Sequence, residues 1–203
     1  MGKRLVVYFV GLFITALGIA LIVHTQAGAG PWDSVAVGLK LHFGLTIGLW
    51  SIIAQACVVI ITALVERARF QFESILAIII RSWFLDLWYY IILKDIEFTS
   101  SPAMQWTTFA LGVCAVGTGI GIYVEARLPK TPLDGLMIAL HNAFGWSFST
   151  ARAIIELSGV ALGFLLGGPV GIGTVIIAFV LGRIISMVNR RVKKYIAIPG
   201  NAV

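Results

Sequence analysis

Charge is scarce in this chain of 203 residues: only 12% are Asp, Glu, Lys or Arg, about half the share of an ordinary soluble domain. Cysteine is scarcer still. Cys57 and Cys114 both lie inside apolar runs, which excludes a disulfide-stapled secreted scaffold and reads most simply as two small buried packing residues. The three histidines, His24, His42 and His141, show no metal-ligand spacing, and no CxxC, HExxH, GxSxG or Walker loop occurs. The glycine-rich GAGPWD lacks the strand that a nucleotide fingerprint needs. The expectation is therefore a protein that is not an enzyme and holds no metal and no cofactor.

Apolar residues are what the chain has in excess. The AVILMFWYC set makes up 59%, with 22 Gly besides, and the mean hydropathy is +0.98. A water-facing surface of this size could not accommodate that share. The composition implies an all-α, polytopic membrane protein with the lipid bilayer as its first partner.

Stretches of about 20 apolar residues occur at 5–26, 45–65, 72–93, 104–124, 146–166 and 171–189. Six transmembrane helices are expected. The opening MGKR runs straight into the first of them without a small-residue cleavage pattern, which reads as a retained helix. Two shorter amphipathic runs, 31–43 and 132–144, would cover only about 20 Å of a roughly 30 Å hydrocarbon core as helices and should not span it. With the N-terminus inside, Lys3, Arg4, Arg67, Arg69, Arg127, Lys130, Arg190, Arg191, Lys193 and Lys194 fall on the cytoplasmic side, against Lys40 and Lys94 outside. Positive residues mark the cytoplasmic side, so both termini are expected there. The net charge of +6 is thus topological, and no nucleic-acid partner is expected.

Shifting the chain against itself by 101 residues aligns its halves without a gap: Gly11 on Gly112, Gly18 on Gly119, Pro31 on Pro132, Asp33 on Asp134 and Gly44 on Gly145. The third helices match at an offset of about 100, Ser74 on Thr174 and Ser82 on Gly182. The chain reads as a single membrane domain over 1–203, with repeat 1 at 1–98, repeat 2 at 102–194 and a short cytoplasmic tail at 190–203. Three spans per half is an odd number, so the halves take opposite orientation, a 3+3 inverted repeat. Each short run should begin as a helix at Pro31 or Pro132, because proline suits a first helical turn. Each should stop at Gly44 or Gly145. Two readings of these segments stay open: interfacial amphipathic helices capped by Asp, or re-entrant half-helices entering the protein from opposite faces.

Ionisable residues inside spans are costly and are candidates for function. Arg152 and Glu156 stand at i, i+4 and should pair. Arg81 and Asp86, five apart, should face different partners. Arg183, near the end of the last helix, can snorkel to the headgroups. Asp33 and Asp134, in the first turns of the short helices, serve either as first-turn caps or as carriers of a coupling proton or cation. Gly117 with Gly121 and Gly163 with Gly167 form small-xxx-small pairs that admit close helix packing. LGGPVGIGT at 166–174 reads as a tight turn, and the tryptophans fall mostly near span ends.

Three stretches, GAGPWDSVAVGL at 28–39, TPLDGLMIAL at 131–140 and TARAIIELSGVALGFLLGGPVGIGTVIIAFVLG at 150–182, resemble the YczE/YyaS/YitT group of bacterial integral membrane proteins. The resemblance covers most of the chain. It departs at TPLDG, where that group has GPRDG, and at FQFES, where it has a second GIGT. It implies a multi-pass protein of the bacterial cytoplasmic membrane and leaves the activity open. The repeat and the charges then suggest a transporter of a small polar or anionic solute, with Asp33, Asp134, Arg152, Glu156, Arg81 and Asp86 as pathway candidates. The alternatives are a non-transporting accessory or scaffold protein, acting as a homo-oligomer or with a protein partner, and the substrate-binding subunit of a multicomponent importer.

Overall fold

The computed structural model describes residues 2–66, 72–126, 128 and 131–195. Arg67, Arg69, Arg127 and Lys130, which figure in the topology argument, and the tail beyond 195 lie outside the described residues. Eight α-helices follow one another among the described residues: α1 (Gly2–Thr25), α2 (Pro31–Phe43), α3 (Ile47–Glu66), α4 (Phe72–Leu87), α5 (Pro102–Tyr123), α6 (Pro132–Phe144), α7 (Phe148–Leu165) and α8 (Ile172–Tyr195). Six helical segments among the described residues are long and apolar enough to cross a membrane. They fall where the hydropathy places them. Residues Trp88–Ile92 continue α4 as a π-helical turn, and α8 runs beyond the expected 189 into its basic end.

The two short helices start and stop where expected. Pro31 and Pro132 each occupy the first turn, and Gly44 and Gly145 follow the last, both with positive φ (71° and 69°) that an L side chain seldom adopts. Serines cap two of the long helices: Ser101 accepts from the Met104 backbone N–H and Ser147 from that of Thr150, at 3.2 and 3.0 Å.

The contacts group into two compact units. The first comprises 1–29, 84–128 and 171–203, and its centre is the seam between α1 and α5. A Cβ on Gly11 would lie 2.7 Å from the Gly119 carbonyl oxygen, and one on Gly18 would lie 2.6 Å from that of Gly112. The residue numbers run in opposite senses, so α1 and α5 are antiparallel. Thr15, between the two glycines, is buried and turns its hydroxyl back to the Gly11 carbonyl at 2.8 Å. On the other side of α5, Gly117 receives Ile184 and Gly121 receives Val188 of α8, which bears out that small-residue pair.

The second unit comprises 30–83 and 129–170. Here α2 packs on α7 and α3, and α6 packs on α3 and α7. Val58, Leu136 and Ile155 form a buried cluster, with Trp32, Leu133, Met137 and Leu140 packed around it. The small residues that seat α2 on α7 are Gly159, against Pro31 and Trp32, and Gly163, against Ser34. The expected partner of Gly163, Gly167, is a turn residue at φ 67°, and a Cβ there would meet nothing within 4 Å. Its glycine serves the turn, so the true pair is Gly159 with Gly163. A second correction concerns Cys57 and Cys114, which are exposed on the outer faces of α3 and α5. Cysteine is apolar enough to face either the core or lipid, so its place in an apolar run does not say which face it takes.

Candidate functional site

The site is built around the first turn of α2. Gly30 precedes the helix and accepts its first hydrogen bond, from the Ser34 N–H at 2.8 Å. The Asp33 carboxylate folds back over Gly30, so closely that a Cβ there would lie 2.7 Å from Oδ2. Neither Gly30 nor Thr131 makes a side-chain cap hydrogen bond. Asp33 sits in the first turn of the helix, where a carboxylate meets the positive end of the helix dipole. The helix is held in place from the α7 side. The Ser34 hydroxyl donates to the Pro169 carbonyl at 3.2 Å, and Gly168 lies against the Ser34 backbone with no room for a side chain.

Arg81 of α4 is the charge that acts on Asp33. Burial pushes the Asp33 carboxyl above the ordinary carboxylate range, and the Arg81 guanidinium opposes that rise. The sequence treats these two residues as separate candidates; in the structure the Arg81 guanidinium acts electrostatically on the Asp33 carboxyl. Around them the second unit holds several buried polar atoms that meet no hydrogen-bond partner among the described residues: Arg81 Nε, Ser82 Oγ, Ser51 Oγ, Gln55 Oε1 and Trp32 Nε1. Ser51 and Gln55 lie one turn apart on the inward face of α3 and are each 3% exposed. Most buried polar side-chain atoms have a partner, so this concentration sets the interior of the second unit apart as polar among apolar side chains. Sequence reasoning that weighs only charges passes over Ser51, Gln55 and Ser82. Their signal is polar residues at helical spacing within an apolar run.

The remaining candidates fall elsewhere. Arg152 and Glu156 form the expected ion pair, Nη2 to Oε1 at 2.6 Å, with side chains 43% and 30% exposed. Asp86 belongs to the first unit and Arg81 to the second. Asp134 occupies the first turn of α6 in the second unit, and its side chain lies outside the described residues. In the first unit Glu125, 6% exposed, accepts from Asn189 Nδ2 at 2.8 Å and lies 3.6 Å from Lys193 Nζ. Asn189 also donates to the Gly121 carbonyl at 3.3 Å. This cluster ties the end of α5 to α8, and its sequence signal is Asn189 and Lys193 one turn apart on α8. His24 stacks on Tyr89 of the π-helical turn, with ring centroids 4.2 Å apart. His141 binds the Trp146 carbonyl oxygen at 2.6 Å and stacks on Phe148.

Comparison with known proteins agrees with a membrane protein. The family DUF6198, described as a family of unknown function, matches over residues 2–190. The chain is 36% identical over 179 residues to "Uncharacterized membrane protein YczE" of Bacillus subtilis (strain 168), covering 88% of this chain and 81% of that one. It is 27% identical over 169 residues to "Uncharacterized protein YyaS" of the same organism, covering 83% and 84%. An "Uncharacterized protein" of Haemophilus influenzae is 30% identical over 183 residues, covering 90% and 82%. No solved structure matches. The chain thus belongs to the DUF6198 family, as a multi-pass protein of the bacterial cell membrane related to YczE and YyaS.

Proposed function

We propose that the protein transports a small polar or anionic solute, with Asp33 and Arg81 at the centre of its pathway. One observation carries this reading: a partly buried acid opens a helix too short to span, an arginine acts on it, and unpartnered buried polar atoms stand in the same unit. When Asp33 is ionised it neutralises Arg81. When it takes a proton, Arg81 is released to bind a carboxylate or phosphate on the solute. Proton binding and anion binding are thereby coupled through one pair of side chains. Arg152 and Glu156, already closed on each other, hold the wall of this unit.

The proposal extends to a 3+3 inverted repeat with cytoplasmic termini. Under the 101-residue shift α1 corresponds to α5, α2 to α6 and α3 to α7. Gly11 meets Gly119 while its counterpart Gly112 meets Gly18. Likewise α2 packs on α7 while its counterpart α6 packs on α3. Reciprocal contacts of this kind are what a pseudo-two-fold axis generates, and sites in such transporters lie near the repeat interface beside interrupted helices. The test is reconstitution into liposomes with a metabolite mixture and an imposed pH gradient, followed by mass analysis of the lumen. Accumulation of a polar or anionic solute, abolished in folded Arg81→Gln, is the expected result. Liposomes that accumulate nothing under either direction of gradient would overturn the transport reading and favour an accessory or scaffold role.

A further inference from the structure

The C-terminal half of α8 has two faces of opposite character. Leu181, Ile184 and Val188 close on Gly117 and Gly121 of α5. On the opposite side Phe179, Gly182, Arg183, Ser186, Met187 and Arg190 recur at three- and four-residue spacing and line an open groove of about 730 Å³, with Arg191 at its edge. Gly182 notches the groove, since a Cβ there would meet nothing within 4 Å. Phe179 is 73% exposed and Met187 56%. No acidic residue occurs anywhere on α8, and the acid that reaches it from the end of α5, Glu125, is engaged by Asn189 and Lys193.

Arg183 stands about 10 Å along the helix axis from Arg190, inside a segment apolar enough to span. A guanidinium at that depth is costly unless it snorkels to the headgroups, and there an anion can meet it. Free anions do not enter a lipid-facing groove, whereas a phospholipid presents its phosphate at the edge of the hydrocarbon and lays its chains against apolar side chains. The groove has the matching order, apolar at Phe179 and basic toward its end. Guanidinium groups bind phosphate oxygens in pairs.

We infer that this face of α8 is a binding site for an anionic phospholipid, its phosphate held between Arg183 and Arg190 with Arg191 beside them, and its chains along Phe179. The test uses the purified full chain in neutral detergent, titrated with phosphatidylglycerol or with phosphatidylcholine of the same chains, the bound lipid being counted by native mass spectrometry. Phosphatidylglycerol should bind about tenfold more tightly, and Arg183→Gln should weaken it about fivefold, the effect of one basic residue near an anionic lipid. Lys194→Gln removes the same charge outside the groove and should leave binding within about twofold. Equal losses in the two variants would reduce the effect to diffuse attraction and overturn the site. So would displacement of the lipid by millimolar inorganic phosphate, or a protein dimer in place of the lipid-bound monomer. Arg190→Gln/Arg191→Gln lies at an exposed helix end and serves as the second variant should Arg183→Gln not fold. Wild-type binding by that variant would also overturn the inference.

Discussion

Gly18 and Gly112 are backed against each other: a Cβ on Gly18 would sit 2.6 Å from the Gly112 carbonyl oxygen, and one on Gly112 would sit 3.0 Å from that of Gly18. Both obstacles are backbone, which cannot swing aside as a flexible side chain can. The α1 to α5 seam therefore tolerates no side chain at this crossing.

Gly18→Val should lower stability by about 1–3 kcal/mol or more, the range for overpacking a filled site. Gly182→Ala, where a methyl meets open space and φ is not positive, should stay within about 0.5 kcal/mol of wild type. Thermal unfolding of both variants in one detergent measures the contrast. Equal stability for the pair would show that the seam gives way.

Asp33 and Arg81 predict a coupled pair of substitutions. Arg81→Gln should be destabilising because it leaves the Asp33 carboxylate uncompensated, and in the Asp33→Asn background the same change should cost less, with a coupling of about 0.5–3 kcal/mol. A double-mutant cycle on unfolding reads it directly. Additive losses would mean that the two charges do not act on each other.

The same carboxyl sets a pH dependence. Its pKa in the folded protein lies above the reference value of 3.8, so folding favours the protonated form. That contribution to stability is fully present below pH 3.8 and is lost as pH rises through the higher folded value. Relative to Asp33→Asn, the wild type should therefore weaken as pH rises out of the acid range. The unfolding midpoints of the two proteins, followed across that range, give the sign. A difference that is flat or of opposite slope would contradict it.

Glu125 should be sensitive to shape as well as to charge. Glu125→Gln keeps an acceptor for Asn189 and loses the attraction to Lys193, whereas Glu125→Ala leaves the Asn189 amide short of its partner at a site 6% exposed. The Ala variant should cost about 1–3 kcal/mol and the Gln variant clearly less. Chemical or thermal unfolding checks the ranking, and the reverse order would shift the weight to the ion pair.

The sequence makes some levels of this structure readable and hides others. Spans are legible because a run of about 20 apolar residues has few alternatives to a membrane helix. The ends of α2 and α6 are legible because Pro31, Pro132, Gly44 and Gly145 each restrict the backbone in a specific way. Which face of a span turns inward is another matter. On α3, Ser51 and Gln55 face in while Cys57 faces out; the i, i+4 spacing of the two polar residues is the one mark of that face, and it is faint in so apolar a run. The action of Arg81 on Asp33 depends on how α2 and α4 are placed in three dimensions, which neither residue's local sequence encodes. The exchange of Gly167 for Gly159 in the packing stripe has a similar cause: a glycine can serve a turn or a contact, and only the backbone angles tell which.

The bond from the Ser34 hydroxyl to the Pro169 carbonyl joins residues 135 positions apart, and with it α2 gains its seat on α7. During synthesis α2 leaves the ribosome long before that seat exists. It can pack on α3 as soon as that helix is made, but its seat on α7 is completed only when the second half of the chain arrives, so completion of this unit is necessarily a late event in biogenesis. An N-terminal fragment released before α7 would leave the α7-facing side of α2 bare, a natural target for membrane quality control.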